Sequence, residues 1–469
     1  MNIHNNYNYK FYQFIDNLKN KTVSFLGLGV SHRNTIKMLA KHGINITVRD
    51  KKNIDQIDKN LIFELNNLNV KLIFGSSYLE NIDEDIVFRT PGMNFNHPIL
   101  QQLHQNGTIV TSEMEVFFDL CPCKIIGITG SDGKTTTSTL ISEMLKTAGF
   151  TTHLGGNIGI PLLPIIESIN PDDYAVVELS SFQLISMRKS PHIAVITNIA
   201  PNHLDVHKDI EEYINAKKNI FLHQSSLDKI VLNFDNLTSR HFLNEASSVI
   251  SLFSCKNNII SGAFLDNKND IYLIDKNSKE FLFSASDIIL PGVHNIENYL
   301  AAITATQNIV NKSVYKKVAT SFKGVEHRIE FVNEINGVKW FNDSIATSPS
   351  RSIAGLKSFN QKVILIAGGY DKHIPYNPLV PYILEKVSHL ILTGDTSENI
   401  YQAIISSPDY KQQNLNITKV NNLSEAVSLA SKTAQKGNIV LFSPASASFD
   451  AYENFEARGR HFKELVNSL

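Results

Sequence analysis

The chain has 469 residues, 42% of them hydrophobic, which is room for about three domains at the usual ~150 residues each. With Lys+Arg at 44 and Asp+Glu at 45, the formal net charge is -1, so no overall field draws the protein to nucleic acid or to an anionic membrane, and any phosphate it binds must be gripped locally. Cys121, Cys123 and Cys255 are too few for a disulfide framework, no apolar stretch approaches the ~20 residues of a membrane span, and the first residues show no basic start followed by an apolar run. The expectation is a reduced, cytoplasmic protein with no membrane insertion.

In chain order, the first pattern is an apolar strand, Thr22 to Leu26, that ends in Gly27-Leu28-Gly29. A helix follows from near Ser31, with Ile36, Met38 and Leu39 inward, and a second strand, Ile44 to Val48, ends at Arg49-Asp50. This is the opening βαβ unit of a doubly wound sheet. The third glycine of a dinucleotide fingerprint is missing, so the Gly-x-Gly is explained by packing about as well as by a nucleotide.

The strongest pattern starts at Lys124. An apolar run, Ile125 to Ile128, leads into Thr129-Gly130-Ser131-Asp132-Gly133 and then Lys134-Thr135-Thr136, which opens a helix through Leu140, Ile141 and Leu145. Glycines at 130 and 133 let backbone N–H groups turn toward an anion, and the helix start adds its dipole. Lys134 can reach the outer phosphates and the Thr135 hydroxyl can hold Mg²⁺. The general phosphate-loop pattern has another Gly where Ile128 stands.

Tyr174 to Glu178 is a strand that delivers a carboxylate at its tip, as phosphate-loop proteins require for their metal. Ile193 to Thr197 is another buried strand, and it runs into a loop carrying His203, Asp205 and His207, donors suited to a metal or a substrate. The helix pattern from Asp209 to Phe221 places Ile210, Ile214 and Phe221 on one stripe, and Lys217 falls on the same stripe. A lysine on a buried face is costly unless its amine is paired, is neutralised, or snorkels to water. A third strand–glycine–helix unit begins at Lys362 and reaches Gly368-Gly369, and further strands end at Thr393 and Phe442. Three such starts give an α/β chain of three domains, with boundaries expected at 1–120, 121–324 and 325–469.

Taken together these residues resemble the Mur ligase family. The likeness covers nearly the whole chain. It includes Gly127 to Thr136, Gly155-Gly156-Asn157-Ile158-Gly159, Glu178 to Gln183, Asn202-His203-Leu204-Asp205 and Ala216-Lys217. It continues through Gly292 to Ala302, His327-Arg328, Asn342-Asp343-Ser344, Ser443 to Asp450, and Asn454 to Gly459. The resemblance implies a Rossmann-like N-terminal domain for a uridine diphosphate group, a central phosphate-loop ATPase with a mostly parallel sheet, and a Rossmann-like C-terminal domain for an amino acid. It also implies ATP-dependent amide ligation through an acyl phosphate in cytoplasmic peptidoglycan precursor synthesis. It is strongest to the branch that joins D-glutamate to UDP-MurNAc-L-Ala, acting as a monomer on these small molecules, with ATP and two Mg²⁺.

Position by position, the resemblance assigns ATP to Gly130, Ser131, Asp132, Gly133, Lys134, Thr135, Thr136, Asn295, Asn298, Arg328 and Asp343. It assigns the metals to Thr135, Glu178, His203 and Lys217, the last as a carbamate, with Lys134, Lys217 and His203 catalytic. The UDP-sugar falls to Gly29, Val30, Ser31, Arg49, Asp50 and Asn157, and the amino acid to Thr347, Lys372, Ser448, Phe449 and Phe455. One position departs. The family places a glutamate-binding lysine where this chain has Ile345, which leaves Lys372, with His373, or Arg351 to compensate. Two rivals stand beside this reading: the same architecture adding another amino acid, such as L-glutamate, and a nucleotide-binding regulatory protein without ligation.

Overall fold

The structure, a computed structural model, describes residues 6–200, 207–275, 278–411 and 415–469. Its strands form three sheets. The first contains β1 (Thr22–Leu26), β2 (Asn45–Asp50), β3 (Lys71–Phe74), β4 (Ile86–Arg89) and β5 (Ile109–Thr111), in the order β3-β2-β1-β4-β5. All its pairings are parallel. The chain runs one way from β1 to β2 and the other way to β4, so the loops leaving β1 and β4 part at the sheet's carboxyl edge, where open α/β sheets bind ligands.

The central sheet contains β6 (Lys124–Thr129), β7 (Thr152–Gly156), β8 (Tyr174–Glu178), β9 (Ile193–Ile196), β10 (Lys229–Asn233), β11 (Val249–Ser254), β12 (Gly262–Leu265), β13 (Asp270–Asp275) and β14 (Ser278–Ser284). Its order is β14-β13-β12-β11-β10-β9-β6-β8-β7, parallel from β7 to β12, with β13 antiparallel to β12. The third sheet contains β15 (Glu330–Ile335), β16 (Val338–Asn342), β17 (Val363–Ala367), β18 (Val387–Leu392), β19 (Asn416–Lys419) and β20 (Ile439–Phe442). It runs β15-β16-β20-β17-β18-β19 and is parallel apart from the β15–β16 hairpin. The buried strands are continuous apolar runs, as a parallel sheet covered on both faces demands.

The chain packs into two compact units, one running up to Phe283 and including Glu297–Val318, the other comprising Ser284–Ile296 and Ala319–Leu469. In the first unit a single hydrophobic cluster extends from Phe25, Val48 and Phe88 of the first sheet to Ile125, Val177 and Ile196 of the central one. The helix Glu113–Leu120 joins them. It buries Met114, Val116, Phe117, Phe118 and Leu120, so it is apolar nearly all round, as a helix between two layers must be. In the second unit, apolar residues pack on both faces of the third sheet. Leu365 and Leu390 lie on one side, Ile364 and Trp340 on the other.

Two side chains at the end of β2 fix the loops around the first sheet's carboxyl edge. Asp50 accepts the N–H of Leu28 (2.7 Å) and of Lys52 (2.9 Å), which braces the Gly-x-Gly turn. Arg49 is 2% exposed and points inward. Its guanidinium meets both oxygens of Glu84 (3.1 and 3.2 Å) and the carbonyls of Glu80 (2.9 Å) and Asn81 (3.1 Å). Breaking a buried ion pair strands the remaining charge, at about 3–5 kcal/mol. Glu84→Ala is therefore expected to lower unfolding free energy by about that amount, read from the urea midpoint. An unchanged midpoint would show that the carbonyls alone satisfy Arg49.

Candidate active site

The site is built on the carboxyl ends of β6, β8 and β9. Parallel register sets Ile128 opposite Glu178 and Thr129 opposite Ile196, so the loops after these strands open from one edge. Gly130 (φ 154°) and Gly133 (φ 78°) turn the chain into the helix Lys134–Thr147. Both are held closely. A Cβ on Gly130 would lie 1.9 Å from Thr197 Oγ1, and one on Gly133 would lie 2.3 Å from Asn298 Oδ1, so neither position admits a side chain.

The loop after β9 grips the phosphate loop from the side. The Ser131 N–H donates to Asn198 O (2.9 Å), the Asp132 N–H to Asn198 Oδ1 (3.0 Å), and Thr197 Oγ1 to Asp132 O (2.6 Å). Ser131 Oγ donates to Ala200 O (2.8 Å) and meets the Tyr213 hydroxyl (2.9 Å). Lys134 Nζ folds over the loop and donates to the carbonyls of Gly130 and Ser131, both at 2.9 Å. The result is a concave backbone with a cation across its mouth, which suits an anion.

Three of the expected metal residues, Thr135, Glu178 and Lys217, lie around the loop. Thr135 Oγ1 donates to Glu178 Oε2 (2.8 Å), and Asn157 Nδ2 donates to Glu178 Oε1 (2.9 Å). Glu178 is buried at 1% exposure, so a hydroxyl and an amide balance its carboxylate. Lys217 is 2% exposed and does not snorkel. Its amine donates to Thr129 Oγ1 (3.2 Å) and Gly130 O (2.9 Å) and lies over the Tyr213 ring. Burial, helped by the nearby Lys134 charge, lowers its pKa from 10.5 to about 7. A substantial share of the amine is thus neutral near neutral pH and available as a nucleophile, which an ordinary lysine is not.

The helix carrying Lys217, Ile210–Lys218, buries Tyr213, Ala216 and Lys217. Ile210, expected inward, is 37% exposed because it is the first helical residue after the Asp209 cap and lies beyond the packed face. The expected ligand His203 and its neighbour Asp205 lie outside the described residues. Among the described residues no group of three His, Cys, Asp or Glu side chains could hold a metal. His207 is described, with its ring stacked on Phe182 and bonded to Ser181 Oγ (2.9 Å) and Glu212 Oε2 (3.2 Å). Sequence reading noted His207 in a donor-rich loop but not this bracing. Thr136 is half-buried in the first turn of the phosphate helix, and Asn298 accepts from Thr137 Oγ1 (3.2 Å).

Beside this site a cavity of about 330 Å³ opens at the divergence of β1 and β4. Gly29, Val30, Ser31, Thr90, Asn157 and Gln183 line it, with Glu113 at its floor. Asn157 therefore touches both the cavity and Glu178. Arg49, expected at the same ligand, has its guanidinium committed to Glu84 and backbone carbonyls, and Asp50 has its carboxylate committed to Leu28 and Lys52. Both act on loop geometry in the structure.

In the second unit, Asp343 is buried at the end of β16, accepting from Ser443 Oγ (2.7 Å) and Ile329 N (3.3 Å). Burial raises its pKa to about 7, against a smaller opposing pull from Ser443 and Ile329 and from Arg328 and Arg351. Arg328 is flanked by His327 (φ 64°) and Ile329 (φ 44°). Left-handed backbone at a β-branched residue costs on the order of 1–3 kcal/mol and persists only where surroundings impose it. Here the Ile329 N–H is held by Asp343 Oδ1 (3.3 Å), and the neighbouring His327 is held by Asn342 Nδ2 at its Nδ1 (2.9 Å) and by Glu330 Oε2 on its N–H (2.9 Å). Asn295 Nδ2 donates to Pro291 O (2.6 Å).

Of the expected amino-acid residues, Thr347 follows β16, Lys372 follows β17, Ser448 and Phe449 follow β20, and Phe455 begins the final helix. Arg458, 3% exposed, donates to Ala447 O (2.6 Å), Ser446 O (3.1 Å) and Ser344 O (3.0 Å), so it ties the 344–347 segment to the one holding Ser448. Ser344 Oγ donates to Phe455 O (2.8 Å). Phe449 is exposed and meets Tyr370 edge-on. Thr347 is half-buried, and Lys372 and His373 are exposed. Arg351 Nη1 reaches the carbonyl of Ile345 (3.0 Å). Arg458 stood in the recognised tail with no role assigned, since a buried guanidinium bonded to carbonyls leaves no spacing signal.

Residues 128–306 match the Mur ligase middle domain and residues 327–446 the Mur ligase glutamate ligase domain. A UDP-N-acetylmuramoylalanine–D-glutamate ligase of Acetivibrio thermocellus is 51% identical over 466 residues, spanning 98% of this chain and 99% of the relative. The chain belongs to the Mur ligase family. A ligase of the same description from Clostridium botulinum is 48% identical over 460 residues, spanning 98% of this chain and 99% of its own. Among solved Mur ligase structures, the UDP-N-acetylmuramate–alanine ligase of Thermotoga maritima superposes with a TM-score of 0.56 at 16% identity, covering 96% of this chain and all of its own. A pseudomurein peptide ligase of Methanothermus fervidus gives 0.53 at 17%, with the same coverage. These establish the mostly parallel α/β fold.

Glu113 offers a test of the cavity floor. It is 6% exposed, accepts the Leu163 N–H (2.9 Å), and burial raises its pKa from 4.5 to about 7. A raised folded-state pKa contributes stability that is full below about 4.5 and lost as pH rises through about 7. Glu113→Gln is expected to flatten the fall in Tm across that window. A wild-type slope retained in the variant would assign the titration to another group.

Proposed function

We propose that this chain joins D-glutamate to UDP-MurNAc-L-Ala with hydrolysis of ATP, in cytoplasmic peptidoglycan precursor synthesis. The observation that carries the reading is the 51% identity, over nearly the full length of both chains, to a relative described as that ligase. The convergence of Lys134, Thr135, Glu178 and Lys217 on one loop supports it. In this reading the three sheets serve three domains, 1–120, 121–324 and 325–469, and the protein works as a monomer.

ATP would lie on residues 130–136, with Asn298 behind the loop. Lys134 would exchange its loop carbonyls for the outer phosphates, a cation for the charge that builds as phosphoryl moves to the alanyl carboxylate. That transfer gives an acyl phosphate, and the amine of D-glutamate then displaces phosphate to form the amide. Two Mg²⁺, held by Thr135, Glu178, His203 and a carbamate on Lys217, would neutralise the like charges of ATP and carboxylate. The chemistry of Lys217 fits. A buried neutral amine adds to carbon dioxide and releases a proton, which turns an amine without a carboxylate into an anionic oxygen donor.

The UDP-sugar would fill the cavity at Gly29, Val30 and Ser31, with Asn157 between it and the metal residues, and Arg49 and Asp50 holding the loops around it. The amino acid would lie against Thr347, Ser448, Phe449, Phe455 and Lys372. With Ile345 where the family has lysine, Arg351, already at the Ile345 carbonyl, supplies the replacement cation for a glutamate carboxylate.

Phosphate release should require ATP, UDP-MurNAc-L-Ala and D-glutamate together, with L-glutamate inactive, and Arg351→Ala should raise the KM for glutamate while leaving that for ATP in place. Release that ignores either partner would sink the ligase reading, and an unchanged glutamate KM would remove Arg351 from the site. Lys217→Ala should lose activity by about 10²-fold or more, the scale of removing one charge-stabilising group, and recover part of it with formate or acetate, which can stand in for the carbamate. Full activity in that variant would refute the role.

A further inference from the structure

The junction between the first and central sheets holds two thiols that the ligase chemistry does not use. Cys121 follows the helix Glu113–Leu120 as its cap, and Cys123 stands directly before β6, with Pro122 between them. Their sulfurs lie 3.6 Å apart, in van der Waals contact. Pro122 holds its own φ near −65°, which limits how far the two ends of this short turn can wander. The two thiols differ in setting. Cys121 is half-buried, and Cys123 is 3% exposed. The Cys123 hydrogen bond, and more weakly Lys10, favour the thiolate at Cys121, whereas that hydrogen bond and burial keep Cys123 protonated. A reachable nucleophilic sulfur with a second thiol behind it is the arrangement of an attacking and a resolving cysteine. Cys255, lying elsewhere in the unit, is pushed up to about 12 by burial and serves as an internal reference.

We propose that Cys121 and Cys123 form a reversible intramolecular disulfide in response to peroxides. The Cys121 thiolate attacks one peroxide oxygen, the O–O bond breaks, and the departing hydroxide takes up a proton, leaving a sulfenic acid and water. The Cys123 sulfur then attacks the Cys121 sulfur, the S–O bond breaks, the Cys123 proton goes to the departing hydroxide, and a second water leaves. Two thiols are oxidised by two electrons and one peroxide is reduced. A dithiol reductant reverses the step by exchange. Such bonds in reducing compartments are transient and sensing rather than structural. The bond would shorten the turn between two functional segments. The helix on one side begins at the cavity, where Ser112, Glu113 and Met114 line it, and the strand on the other ends at Thr129, directly before Gly130.

The test is a thiol count on the reduced full-length protein, treated with hydrogen peroxide and then alkylated in denaturant, so that buried thiols react. The expected result is a fall from three alkylatable thiols to one, with Cys255 remaining, and a peptide spanning Cys121 and Cys123 lighter by two hydrogen atoms. Dithiothreitol should restore all three. Cys255→Ser should lose both remaining thiols in the same way, and Cys123→Ser should stop at a sulfenic acid on Cys121 that dimedone traps. Two alkylatable thiols at 121 and 123 after peroxide would overturn the proposal, as would sulfinic acid at Cys121 with Cys123 intact in the unsubstituted protein.

Discussion

The constraint on which the site depends is the burial of an amine whose described hydrogen-bond partners are a hydroxyl and a carbonyl rather than a carboxylate. Lys217 places its amine under the phosphate loop, against Gly130 O and Thr129 Oγ1, in a position that water does not reach. A full charge there would be expensive, and the group responds by giving up its proton more readily. The same placement fixes the loop. The carbonyl of Gly130 is shared between Lys217 from below and Lys134 from above. Thr197, Asn198 and Tyr213 then close the loop's flank, so its shape is set before any nucleotide arrives.

Much of this was legible in the sequence, for a physical reason. Buried parallel strands must be apolar runs, and their carboxyl ends must turn through glycine or polar residues, so the starts read at Thr22, Lys124 and Lys362 announce themselves, the last one residue before the strand begins at Val363. The burial of Lys217 was also legible from periodicity, although one residue of the same stripe, Ile210, lies on the surface. What sequence could not show is where a long side chain ends. Arg49 and Asp50 sit at the expected strand end, yet both are spent on loop geometry, and nothing in a linear pattern tells a guanidinium reaching Glu84 from one reaching a ligand. Arg458 was hidden likewise, because its partners are mostly backbone carbonyls, and His207 was noted but its bonds to Ser181 and Glu212 left no pattern.

The second unit relies on imposed backbone rather than on an imposed charge. His327 and Ile329 adopt left-handed conformations on either side of Arg328, and Gly459 is required beneath them because a Cβ there would lie 2.2 Å from His327 Nδ1. The final helix, Phe455–Asn467, thus acts at both ends of its first turns. Gly459 makes room for the His327 turn, and Arg458 locks the 344–347 and 446–448 segments together. An arginine and a glycine adjacent in sequence do two unlike jobs.

The hydrophobic cluster shared by the first two sheets bears on how such a chain can be rearranged. The helix Glu113–Leu120 belongs to both layers at once, with Phe117 fully buried in the common core. A cut at Cys121 would leave two wet apolar faces rather than two modules. Exchange of N-terminal domains between ligases of this kind is therefore a problem of matching cores as well as of grafting loops. The portable piece is the first sheet together with its last helix and the surface that helix was shaped against.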